Sequence, residues 1–218
     1  MNNNSLTPII ETLEDLYSKF NFKVFNGELE TPVITLSPNS KRGGGTVLGW
    51  FTTWRSWGTD KDNRPDGGSN TDSSGYYEIN VCAEYLTRPM KEIAETLLHE
   101  MVHLYNKQRG VQDCSRSGYY HNKSFKEAAE SHGLIVTKSG SHGYSQTCLN
   151  YEMSEYVASL NIPNFKLYRR SYSSGILASP DNMATYTCPS CNQTVFADRT
   201  AKIDLICGKC HKKLVSLD

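Results

Sequence analysis

"ETLLHEMVHLYN", residues 95–106, places two histidines four residues apart, with a glutamate directly after the first. The segment lies inside the strongest helical pattern of the chain. Pro89 opens a stretch in which Ile93, Leu97, Met101 and Tyr105 recur every four residues, joined by Met90, Ala94, Leu98 and Val102. That period predicts a helix with a broad apolar face. On such a helix His99 and His103 lie one turn apart on one side, so both imidazoles can bind a single zinc ion. Glu100 is turned about 100° from His99, which lets it reach a water on the metal without becoming a ligand. Such a water is a usable nucleophile near neutral pH, with the carboxylate as its base. A polar stripe on a core helix would carry the same letters, so the rest of the chain has to decide.

A catalytic zinc needs three protein ligands and one open position. Arg109 stands where a metzincin would have its third histidine, which excludes that class. His121 follows His103 by 18 residues, just ahead of a predicted helix, and is the first choice for the third ligand. Glu127 or Glu130 would instead complete a site of two histidines and one glutamate, and His132 and His142 are further candidates.

Outward from the motif, Ile9, Leu13, Leu16 and Phe20 predict an amphipathic helix over about Pro8 to Lys19. "TPVITLS" (31–37) and "LGWFTTW" (48–54) read as strands, separated by the loop "PNSKRGGG" (38–45). The polar run "TDKDNRPDGGSNTDSSG" (59–75) reads as an excursion between strands. "YYEINV" (76–81) alternates as a half-buried strand, and at a sheet edge it would hold an extended peptide by main-chain pairing. "VQDCSRSGYY" (111–120) reads as a loop in which Tyr119 or Tyr120 is available to an oxyanion, packing being the plainer use of both. "NKSFKEAAESHG" (122–133) predicts a short helix capped by Asn122 and stopped by Gly133, and "NYEMSEYVASL" (150–160) predicts another. Trp50, Phe51, Trp54 and Trp57 suit core packing or cleft lining, with stacking on unpaired bases as the alternative.

The chain has 218 residues, 38% of them hydrophobic, enough for one ordinary domain with a small appendage. No run of eighteen apolar residues is present, and "MNNNSLTPII" lacks the pattern of a secretory signal. The expectation is a cytoplasmic protein without membrane contact. Seven cysteines, four of them in two CxxC pairs, point to metal in a reducing compartment rather than to disulfides, and Cys82, Cys114 and Cys148 read as buried thiols. The 23 basic and 23 acidic residues cancel overall, but the part from Phe165 onward has eight Lys/Arg against four Asp. That tail is the expected polyanion contact.

"CPSCNQTVFADRTAKIDLICGKC" (188–210) sets Cys188 and Cys191 ahead of Cys207 and Cys210. Two such knuckles supply four thiolates to one structural zinc and leave it no open position for catalysis. Lys202, Lys209, Lys212 and Lys213 surround the module with positive charge suited to DNA, or simply to solvent. The expected organisation is α+β: residues 1–165 as a zincin-like domain with a small sheet packed on the HExxH helix, 166–185 as a linker, and 186–218 as a four-cysteine zinc ribbon.

"EINVCAEYLTRPMKEIAETLLHEMVHLYN" (78–106) followed by "GYYHNKSFKEAAESHGL" (118–134) resembles the SprT-like metalloprotease domain, the family that includes Spartan. "HNKSF" (121–125) resembles the family's third histidine followed by a small-x-x-Phe pattern, with Asn122 where glycine is common. The resemblance implies zinc held by His99, His103 and His121, Glu100 as catalytic base, and cleavage of proteins, in Spartan-type members those crosslinked to DNA. Two readings therefore compete: a zinc endopeptidase whose ribbon recruits substrate or DNA, and a DNA-associated module with two structural zincs and no turnover.

Overall fold

The computed structural model describes residues 4–38, 47–58, 74–170, 183–198 and 204–216. Most of the polar excursion after Trp57, most of the expected linker and Lys202 lie outside the described residues. The chain is α+β and divides into two compact units, Met1–Ser171 and Tyr172–Asp218.

The larger unit is built on helix α2 (Met90–Gln108), in which Ile93, Ala94, Leu97, Leu98, Met101, Val102 and Leu104 are fully buried. Helix α1 (Thr7–Phe25) packs on it through Leu13, Leu16, Tyr17 and Phe20. This helix runs past the expected end at Lys19 because Phe25 is itself a core residue. It stops at Asn26 and Gly27, both in the left-handed region (φ 55° and 73°) that ends helices.

Strands β1 (Val33–Ser37), β2 (Gly49–Phe51) and β3 (Glu78–Cys82) form one sheet in the order β1-β3-β2, with β1 parallel and β2 antiparallel to β3. The strand of "YYEINV" does not stand at a sheet edge, so it is not the one to hold a peptide: β3 is paired on both sides, and Ile79, Asn80, Val81 and Cys82 are buried. The sheet edge nearest α2's histidines is β2 instead.

Strands β4 (Cys114–Ser115), β5 (Tyr120–His121), β6 (Leu134–Ser139) and β7 (Gly143–Leu149) make a second sheet in the order β4-β5-β7-β6. Helix α3 (Lys123–Ser131) follows β5 directly, and Asn122 caps it by accepting the Phe125 N–H at 3.2 Å. Helix α4 (Tyr151–Ser159) is capped in the same way by Asn150, which accepts from Met153 N–H at 2.8 Å. Beyond α4, Phe165 and Leu167 still pack on this core, and the Arg169 N–H donates to Ala83 O at 2.9 Å. Among the described residues no helix is long and apolar enough to cross a membrane.

The smaller unit is a three-stranded antiparallel sheet of β8 (Met183–Thr187), β9 (Thr194–Asp198) and β10 (Val215–Ser216), ordered β10-β8-β9. Among the described residues its buried cluster is Cys188, Cys207 and Leu214, with Tyr186, Cys191, Leu205 and Cys210 packed around it, and Ala184 is buried as well.

Candidate metal centre

The helical repeat of α2 sets His99 and His103 on one face. His121 reaches them from β5, where its N–H donates to His142 O at 3.1 Å and its backbone pairs with Gly143. A side chain at Gly143 is not tolerated: φ is 67°, and a Cβ would lie 2.2 Å from His121 O. Phe125, fully buried at the start of α3, fits beneath all three imidazoles, with ring centroids 4.7, 4.6 and 4.6 Å from those of His99, His103 and His121. The spacing in "HNKSF" therefore has a packing reason.

Nε2 of His121 lies 3.1 Å from Nε2 of His99 and 3.1 Å from Nε2 of His103. Two tetrahedral nitrogen ligands of a zinc ion, each at about 2.0–2.1 Å, stand about 3.3 Å apart, so these atoms are spaced as ligands of one ion. The opposite ring nitrogens point the same way. Nδ1 of His103 is 2.7 Å from Asp113 Oδ2, and a carboxylate only accepts, so Nδ1 carries the proton and Nε2 presents a lone pair. Nδ1 of His99 is 3.0 Å from Thr147 Oγ1. The three Nε2 atoms converge on one point, and a set of three imidazole nitrogens fits zinc.

Burial, with the neighbouring His103 and His121, holds the His99 imidazole well below its ordinary range. His121 is lowered to about 4, by burial first and His103 second. For His103 burial acts against the charged form, but the hydrogen bond and charge of Asp113 outweigh it and raise the ring. Glu100 is 6% exposed, and burial pushes its carboxyl up to about 7 against the pull of His103. These residues line a cleft together with Gly49, Trp50 and Phe51 of β2, Gln146 and Thr147 of β7, and Tyr119.

The remaining candidates lie elsewhere. Glu127 and Glu130 pair with Lys123 and Lys126 at 3.3 and 3.6 Å on the outer side of α3. His132 stacks on Phe25 with centroids 4.4 Å apart and places Nδ1 2.7 Å from Ala128 O, as a packed core histidine. His142 lines the cleft but meets Ser141 Oγ through Nδ1. Tyr120 packs against Gly143 instead of facing the cleft, whereas Tyr119 is 47% exposed there. Trp50 and Phe51 line the cleft, while Trp54 and Trp57 are exposed. Of the three isolated cysteines Cys82 is buried, Cys114 half-buried and Cys148 exposed, so the expectation of three buried thiols fails for Cys148. Sequence reasoning missed Asp113 and Thr147.

In the smaller unit the Sγ atoms of Cys188, Cys191, Cys207 and Cys210 all lie within 4.8 Å of one another, and Cys191 and Cys207 are 3.6 Å apart. That is too far for a disulfide and close to the roughly 3.8 Å between thiolates tetrahedrally placed at about 2.3 Å from zinc. The two knuckles are built alike. Asn192 and His211 take left-handed φ (57° and 53°), and their N–H groups donate to Cys188 O and Cys207 O. His211 thus shapes a knuckle and stands outside the donor group.

An α+β domain with HExxH on its central helix and a third histidine brought in beside it belongs to the metalloprotease-like class. Residues 13–142, more than half of the chain, match the SprT-like family, and the chain belongs to that family. No curated protein and no solved structure matches the chain.

Proposed function

We propose that this chain is a zinc-dependent endopeptidase, with the catalytic zinc on His99, His103 and His121 and a structural zinc on Cys188, Cys191, Cys207 and Cys210. The observation that carries the reading is the convergence of three imidazole Nε2 atoms beside a buried glutamate at the floor of an open cleft. Zinc held there supplies a Lewis acid that polarises a scissile carbonyl and makes water acidic enough to attack it. The chain's own part is proton movement and positioning. Glu100 would take the proton of the attacking water and pass it to the leaving amine, the role of a general base that becomes a general acid. Among the described residues β2 pairs with β3 on one side only, and an extended substrate added to its other edge would be held by main-chain hydrogen bonds. Tyr119 lines the cleft and is exposed, and its hydroxyl would be the side-chain donor to the developing oxyanion.

An edge that pairs with extended backbone selects unfolded segments and loops. The family resemblance and the lysines of the smaller unit support substrates associated with DNA, with the ribbon as the contact. The experiment counts zinc per chain in the wild type and in the His99→Ala/His103→Ala double variant, then assays cleavage of an unfolded protein with and without single-stranded DNA. Two zincs falling to one, with activity lost, is the expected result. Two zincs in the wild type and no cleavage of any protein would favour a binding module without turnover.

A further inference from the structure

The three imidazoles are not held equally. Nδ1 of His121 is buried and meets no side-chain acceptor among the described residues, the ring being influenced instead by the backbone of His142. Nδ1 of His99 meets the Thr147 hydroxyl, which gives or takes a proton and so leaves the tautomer open. Among the described residues His103 alone of the three hydrogen-bonds a carboxylate, and that carboxylate is itself fixed. Asp113 has a side chain 14% exposed, and its Oδ2 also accepts from Asn106 Nδ2 at 3.1 Å. Asn106 is 2% exposed and lies on α2 less than one turn beyond His103, so the acceptor is anchored to the helix that carries the ligand.

Asp113 is fixed at its other end as well. Its carbonyl accepts the N–H of Asn122, the residue directly after His121, at 2.9 Å. Asn122 Nδ2 donates to Gln112 O at 2.8 Å, a second tie between the same two segments. One residue therefore joins the helix ligand through its side chain to the strand ligand through its backbone. The His103–Asp113–Cys114 group, with donor atoms within 4.8 Å of one another, has the residue types of a separate cation site. The 2.7 Å contact between Nδ1 and Oδ2 is instead a formed hydrogen bond that uses both partners.

We propose that Asp113 is the positioning residue of this metal centre: it keeps the His103 proton on Nδ1, aims the Nε2 lone pair at the ion, and sets the distance between the His103 and His121 ligands. The proposal rests on the metal reading above. A carboxylate behind a ligating histidine fixes ring orientation and makes the ring a stronger donor, and losing it costs about 10–100-fold in metal affinity.

The test is chelator competition on the full chain loaded with zinc, with the ribbon zinc as internal reference, comparing wild type, Asp113→Ala and Asp113→Asn. Asp113→Ala is expected to weaken the helix site about 10–100-fold and leave the ribbon zinc unchanged. Asp113→Asn, which keeps the shape and one acceptor oxygen, is expected to fall between and carries the test if the alanine variant does not fold. Nitrogen NMR of the zinc-free protein, at a pH high enough for His103 to be neutral, should show its one proton on Nδ1 in the wild type and divided between both nitrogens in the variants. Two zincs per chain with wild-type affinity and an unchanged tautomer in the variants would overturn the proposal alone. A single zinc in both the wild type and His99→Ala/His103→Ala would overturn the metal reading, and this proposal with it.

Discussion

Gly49 of β2 lies directly against Glu100 of α2: a Cβ added to Gly49 would come within 3.4 Å of Glu100 Oε1, 2.8 Å of Thr96 Cγ2 and 2.7 Å of Asn80 O. The last contact is with main chain and no rotamer relieves it, so any side chain here pushes the cleft-edge strand away from β3. Gly49→Ala is expected to cost about 1–3 kcal/mol of stability, the usual range for overpacking. It should also reduce cleavage while zinc content stays unchanged, because the strand that moves is the one proposed to align substrate. Denaturant unfolding and metal analysis of one preparation check this; a variant as stable and active as wild type would show that the edge strand has slack.

Glu100→Gln keeps the volume and leaves His99, His103 and His121 in place. If Glu100 is the base, cleavage falls by at least about 100-fold while both zincs remain. Activity within a few-fold of wild type would remove Glu100 from the chemistry, and loss of a zinc would move its role to building the site.

The parts of the centre legible in the sequence are those set by local geometry. His99, Glu100 and His103 follow from the helical repeat of α2, and His121 from its place ahead of the Asn122 cap and Phe125. Asp113 and Thr147 were not legible, because each acts through a tertiary contact from a segment without a pattern of its own. The β6–β7 hairpin was hidden for a related reason. Of its apolar residues Leu134 and Leu149 are buried, whereas Ile135 and Cys148 pair on the exposed side, so the alternation that announces a strand is blurred. The order of the first sheet is likewise a matter of register: "YYEINV" alternates as an edge strand would, yet β1 and β2 both pair with it.

The isolated cysteines separate by exposure. Cys148 is exposed on β7, whereas Cys82 is fully buried and its thiol is pushed up to about 12, by burial first and the Glu84 charge second. Under native conditions a maleimide should label Cys148 quickly and leave Cys82 untouched until the larger unit unfolds. Peptide mapping of the labelled sites checks this, and equal labelling of the two would mean that the β3 core opens on the labelling timescale.

Metal removal should act on the two units differently. Among the described residues the smaller unit buries little besides Ala184, Cys188, Cys207 and Leu214, so its folding is expected to depend on the proposed zinc; structural zinc binding contributes about 10–16 kcal/mol in small peptides of this kind. The larger unit has a hydrophobic core of its own, from Ile9 of α1 to Val157 of α4. A strong chelator is therefore expected to unfold residues of the ribbon, exposing Cys188, Cys191, Cys207 and Cys210 to labelling, while α1 and α2 keep their amide protection. Hydrogen exchange followed by mass spectrometry reads both units in one experiment. Loss of protection in α2 at the same chelator concentration would mean that the zinc on His99, His103 and His121 holds the larger fold together, whereas an unchanged ribbon would mean that its four thiols pack stably without metal.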